Sequence, residues 1–268
     1  MSVTTTSTPL GRTVSNGALA GLVAGGVGAA VQYWVVEPVI KKAIALEEAG
    51  AEAPAAHTHA GDVGAHSHGG DAIIGRSEQI VTGLVTVLVV GVLIGIAFAL
   101  AHRYLHSRIP GRGTTGTVMF LTGVGFAAFT LAPAIVIPAN PPAVGDPDTV
   151  DTRTLVYIAT IVCAAALAAA VTAVARHRAL SPEHRALAAT AVGLLGATFG
   201  MWALPNATDA IPATVPADLI WQFRTRSLAQ IGVMWLVLGS VLAFLSTPAR
   251  SHATAPATAE PAHTPAGV

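Results

Sequence analysis

The chain has 268 residues, of which 53% are hydrophobic, 10% charged and 5% aromatic, with 14 Lys and Arg against 14 Asp and Glu and a mean hydropathy of +0.63. Soluble domains average about 25% charged residues, so this chain cannot clothe a normal globular surface, and zero net charge excludes the basic face that nucleic-acid binding needs. A single cysteine, Cys163, excludes an intramolecular disulfide and every cysteine-built metal cluster.

A polytopic membrane protein remains. A hydrocarbon core of about 30 Å takes about 20 apolar residues as helix, because lipid offers no partner to backbone N–H and C=O groups. Residues 1–15, rich in Thr and Ser, are expected to be a disordered tail. The first apolar stretch, 17–36, follows Arg12 and carries Gly17, Gly21 and Gly25 at steps of four, with Gly28 three further on. Its small-residue run could pass for a cleavable signal peptide. Continuation through Tyr33 and Trp34, an interfacial aromatic anchor, argues for a retained helix.

Glu37 to Glu52 is amphipathic and is expected to extend that helix past Pro38, before a Gly/Ala/His-rich loop at 53–72. Further spans are expected at 79–101, which holds Gly91 and Gly95, then at 117–137, 155–175, 186–204 and 228–245. None of the six contains Asp, Glu, Lys or Arg. Small-residue faces of this kind let membrane helices approach closely. Residues 247–268, rich in Pro, Ala and Thr, close the chain as a second disordered tail. The fold class is therefore all-α, a membrane bundle of about six transmembrane helices over residues 16–246.

Sidedness follows from Lys and Arg in short loops, which stay in the cytoplasm. Arg103, Arg108 and Arg112 lie in one such loop and Arg176, Arg178 and Arg185 in another, so both termini are expected inside and the 37–78, 138–154 and 205–227 loops outside. On that topology the inner side carries eight Lys and Arg against two acids, and the outer side six against twelve. Zero net charge is the sum of two opposed faces.

Four of the ten histidines fall in the first outer loop as His57-Thr58-His59 and His66-Ser67-His68, with Asp62 and Asp71 nearby. Imidazole is the commonest metal-binding side chain and suits Co, Ni, Cu and Zn. A His-x-His pair on a Gly/Ala backbone can turn two nitrogens to one ion, so His57, His59, His66 and His68 are the candidate metal ligands. His102 and His106, at i and i+4, have chelating spacing, but Arg103 and Tyr104 beside them make an interfacial belt the plainer reading. The three outward helix ends, Glu37-Pro38, Pro138 with Asn140 to Pro142, and Pro205-Asn206, suggest a polar outer vestibule.

No nucleotide-binding loop is present, and no ionisable residue lies within a span to relay ions or protons. Transport would then use Glu37 and Glu78 at the boundary, or Thr130, Cys163, Met119 and Met201 within, or a partner chain. No Ser/His/Asp order or HExxH pattern supports catalysis.

The order of features resembles the predicted cobalt transporter CbtA family from first helix to last. The matching stretches are Gly17 to Gly21, the acidic segment with Glu47 and Glu48, the His-rich loop, Gly125-Phe126, Leu131 to Ala134, Ala203 to Pro205, and Phe223, Arg226, Ser227, Leu228 and Trp235. The resemblance implies cobalt uptake linked to cobalamin synthesis, often beside a small His-rich one-span partner. Members commonly have histidine after the proline closing helix five, where this chain has Asn206, a departure that removes a metal ligand there.

The resulting expectation is a non-enzymatic permease subunit of the cell membrane that takes up a divalent transition metal, most simply cobalt, through the loop histidines. Its partners would be the lipid bilayer, the ion and the small subunit, with no tightly bound cofactor. The competing expectation is a non-conducting membrane metal-binding, sensor or accessory protein.

Overall fold

The computed structural model describes residues 9–51, 75–109, 113–142, 144–205 and 207–247. It is all-helical: α1 (Leu10–Val31), a π-helical turn (Gln32–Val36), α2 (Glu37–Ala51), α3 (Arg76–Leu105), α4 (Thr114–Phe126), a second π-helical turn (Ala127–Leu131), α5 (Ala132–Val136), α6 (Val150–Ala175), α7 (Pro182–Ala203) and α8 (Ala217–Ser246). There is no strand among the described residues. Six helical segments are long and apolar enough to cross a membrane.

Proline shapes two of these segments without ending them. Pro38 and Pro133 each lack an N–H and would press on the carbonyl four residues earlier. In both cases a π-helical turn stands directly before the proline, at Gln32–Val36 and Ala127–Leu131, and widens the helix enough to carry it on. Thus α1 runs through Pro38 into α2 as a single helical path. The expected extension of the first helix past Pro38 is present, and the backbone changes pitch at Gln32–Val36 on the way. The carbonyls loosened in these turns are taken up by side chains from other helices: Arg226 Nη1 donates to Val35 O at 3.1 Å and the Tyr157 hydroxyl to Phe129 O at 3.4 Å.

The tightest packing is the antiparallel pair α1/α3. Gly17 lies against Gly95 and Ala99, Gly21 against Gly91, and Gly25 against Leu88, and a Cβ at any of the three would meet backbone of the facing helix. Small residues here allow the backbone contact that stands in for hydrophobic driving force in lipid. α4 and α8 complete a four-helix core in which Ala24, Phe98, Val118, Leu121 and Leu242 are buried together. Gly125 and Gly239 admit the Trp235 ring and Thr122 at the α4/α8 contact.

The α6/α7 hairpin is peripheral. α7 rests on α6, and Leu187, Leu194, Leu195, Phe199 and Trp202 point away from the bundle, Trp202 with 81% of its surface free. Such a face suits hydrocarbon, where apolar exposure costs nothing.

α8 begins at Ala217, eleven residues before the expected start of its apolar run. Its first turns and α2 both project beyond the span and pack on each other through Val39, Ala43 and Leu219, flanked by Val215 and Phe223. A second, smaller core therefore caps one end of the bundle.

Candidate functional site

At the capped end, α2, the start of α8 and the 138–149 connection enclose an open cavity of about 660 Å³, with Ile40 and Glu47 on one wall, Phe223 on another, and Asn140, Asp146 and Arg153 along the floor. Two carboxylates, Glu47 and Asp146, are exposed to it. Asp146 also caps the following turn, accepting from the Asp148 N–H at 2.9 Å. Arg153 is the cation among the lining residues, and its charge is matched: Nη1 reaches Asp209 at 2.5 Å, and Asp209, whose side chain is 2% exposed, also accepts from the Thr149 hydroxyl at 2.6 Å. The remaining imbalance is negative.

Arginines of α8 hold the floor in place. Arg224 donates to Ala139 O at 3.1 Å and to Asn140 Oδ1 at 2.9 Å, tying the end of the α4/α5 span to α8. Arg76, at the start of α3, donates to Glu37 at 2.5 Å. Of the three outward helix ends expected to frame a vestibule, the one at 138–142 does so. Glu37 is buried against Arg76 instead, and Asn206 lies outside the described residues. The vestibule's other walls come from α2 and α8, which the apolar runs alone did not reveal.

Within the span, polar groups gather where α8 meets α1 and the second π-helical turn. Gln230, buried, donates from Nε2 to Gly28 O at 3.2 Å, and the Met234 thioether lies directly over Gly28. Five residues on, Trp235 Nε1 donates to the buried Thr130 hydroxyl at 3.0 Å. Thr130 was expected to be an inward group; Gln230 was not, although an amide inside the apolar run 228–245 was the available signal. Cys163, Met119 and Met201 lie on exposed faces of the bundle, away from this seam. Glu78 caps the start of α3 by accepting from the Gly75 N–H at 3.2 Å.

The expected ligands His57, His59, His66 and His68 lie outside the described residues. What is described is where their segment attaches: the chain leaves the bundle at Ala51 and returns at Gly75, at the capped end beside the cavity. No group of three or more His, Cys, Asp or Glu able to hold a metal occurs among the described residues. His184 shares a 2.6 Å contact with the Ser181 hydroxyl at the start of α7, a helix cap rather than a ligand site.

Comparison with known families decides the chain's place. The profile of the probable cobalt transporter subunit CbtA matches residues 10–247, nearly the whole chain. The chain belongs to the CbtA family. No similar curated protein and no similar solved structure was found. The CbtA match runs from the first turn of α1 to the last of α8, so the four-helix core, the capping helices and the peripheral hairpin all fall within the family's extent. The family's description, a probable cobalt transporter subunit, is in keeping with a multi-pass bundle.

Proposed function

We propose that this CbtA chain is the membrane permease subunit through which a divalent transition metal, cobalt above all, enters the cell. The observation that carries the reading is the acid-biased cavity at the end where residues 52–74 attach, in a chain of which residues 10–247 match the probable cobalt transporter subunit family. The capped end faces outward and the arginine loops around 103–112 and 176–185 face the cytoplasm, as the positive-inside rule requires. His57, His59, His66 and His68 capture the ion, and the carboxylates of Glu47 and Asp146 draw it to the cavity. It then passes inward along the α1/α8 seam, where the Gly28 carbonyl, the Gln230 amide and the Met234 sulfur offer neutral donors. Neutral donors bind a divalent ion weakly enough to release it, which conduction requires.

A small His-rich one-span subunit would complete the transporter, as the word subunit in the family's description invites. The alternative, a non-conducting membrane metal-binding or sensor protein, draws on the absence of any Asp, Glu, Lys or Arg inside the spans.

Replacing His57, His59, His66 and His68 together by Ala tests the capture step. At limiting external Co²⁺ the variant is expected to take up the ion at least tenfold more slowly than the parent chain. The difference should vanish at saturating Co²⁺. Equal uptake at all concentrations would remove the loop from the pathway. Cysteines placed singly at positions 66 and 178 of a Cys163→Ala chain should be labelled by an impermeant maleimide from outside only at 66, and the reverse pattern would invert the topology.

A further inference from the structure

We infer that His102 and His106 form a second binding site for a divalent transition metal, at the end of the bundle opposite the attachment of the His-rich segment. Both lie where α3 leaves the span, one helical turn apart, with ring centroids 6.0 Å apart and planes inclined by 54°. Residues at i and i+4 share one helix face.

The protonation of His106 is fixed by its partner. Its Nδ1 lies 3.0 Å from Arg103 O, and because a carbonyl can only accept, Nδ1 carries the proton. In the neutral ring the bare nitrogen is then Nε2. A ring N–H anchored on a backbone carbonyl is also how metal-ligating histidines are oriented. On His102, Nε2 is shielded from solvent and has no hydrogen-bond partner among the described residues. Two imidazoles on one face thus each hold an uncommitted Nε2.

The spacing suits one ion. With nitrogen about 2.1 Å from a metal, two imidazole centroids sharing it stand roughly 5 to 6 Å apart, depending on the bond angle, and the observed 6.0 Å falls at the upper end of that range. The cations alongside are drawn elsewhere. Arg108 donates to Tyr104 O at 2.6 Å and its guanidinium stacks 3.8 Å over the Tyr104 ring, while Arg103 reaches the Thr13 hydroxyl at 3.5 Å. Two neutral nitrogens, with water completing the shell, make a weak and rapidly exchanging site for Co²⁺ or Ni²⁺ and a poor one for Mg²⁺ or Ca²⁺, which take oxygen. That the pair stands where an ion would leave rests on the transport reading; the binding itself does not.

The test uses the full chain in nanodiscs, free of any purification tag and with His57, His59, His66 and His68 replaced by Ala, titrated with Co²⁺ by calorimetry. Binding is expected, and His102→Ala or His106→Ala added to this background should each weaken it at least tenfold. Because either change could disturb the helix end, a second measurement keeps the unsubstituted pair: Co²⁺ should protect His106 from diethyl pyrocarbonate, read by mass spectrometry, and Mg²⁺ should not. No Co²⁺ binding in the background, binding indifferent to both substitutions, or His106 labelling unaffected by Co²⁺ would each overturn the site. Uptake by the same chains reports separately on transport, so a chain that binds here yet moves no Co²⁺ keeps the site and loses the permeation reading.

Discussion

Arg76 and Glu37, 39 residues apart in sequence, meet at 2.5 Å and join the mouth of α3 to the first turn of α2. Glu37 is 6% exposed, and the pair pins together the two ends of the segment that carries the histidine cluster. Arg76→Ala strands a buried carboxylate. Leaving a buried acceptor without its donor costs about 1–3 kcal/mol and more when the acceptor is charged, and the part-exposed position of Arg76 keeps the expected loss within that range. Glu37→Gln should cost less, because Arg76 can turn to water. Thermal unfolding of the two single variants and the double variant in nanodiscs should give a coupling of at least about 0.5 kcal/mol. Additive losses would mean the pair carries no energy.

The α1/α3 seam makes a sharper contrast. Gly21→Leu puts a side chain against the backbone of Gly91, with no flexible neighbour to yield, and should abolish a monodisperse folded chain. Gly26→Ala meets nothing within 4 Å. It should be neutral or raise stability by up to about 1 kcal/mol through helix propensity. Size-exclusion profiles and melting curves distinguish the two, and a well-folded Gly21→Leu chain would refute the packing.

At the cavity floor the asymmetry between partners predicts an order of severity. Asp209 is almost fully enclosed and Arg153 is partly open to water. Arg153→Ala should therefore destabilise more than Asp209→Asn, since the stranded group is a buried carboxylate in the first case and a hydratable guanidinium in the second. Equal losses, or the reverse order, would show that the loop does not bury Asp209.

Gln230→Leu separates stability from passage. Interhelical hydrogen bonds in membranes average about 0.6 kcal/mol and reach about 1.7 kcal/mol, so the variant should unfold within that margin of the parent chain. If the ion follows the α1/α8 seam, Co²⁺ uptake should nonetheless fall at least tenfold. Unchanged uptake would place the path elsewhere in the bundle.

Much of this architecture is legible in the sequence because a bilayer asks for so little: long uncharged runs for the spans, and glycines at steps of four for the α1/α3 seam, which fall on facing positions in the structure. The boundaries were harder. Passage of the helix through Pro38 and Pro133 was expected from the runs around them, but the π-helical turn before each, a feature with no residue signature, was not. The extension of α8 to Ala217 was hidden because Asp218, Arg224 and Arg226 interrupt the apolar run while keeping a face for Val39 and Ala43. Cys163 and Met201 were equally placed in composition with Thr130, yet lie on exposed sides, since which side of an apolar helix turns inward depends on neighbours that the run itself does not name.

Uptake of Co²⁺ into sealed proteoliposomes, by the chain alone and together with a His-rich one-span partner, tests the permease reading most directly. Time-dependent accumulation above protein-free vesicles is expected in at least one of the two preparations, slowed at limiting Co²⁺ by the substitution of His57, His59, His66 and His68. Tight Co²⁺ binding with no accumulation in either preparation would contradict it and leave a membrane metal-binding protein in its place.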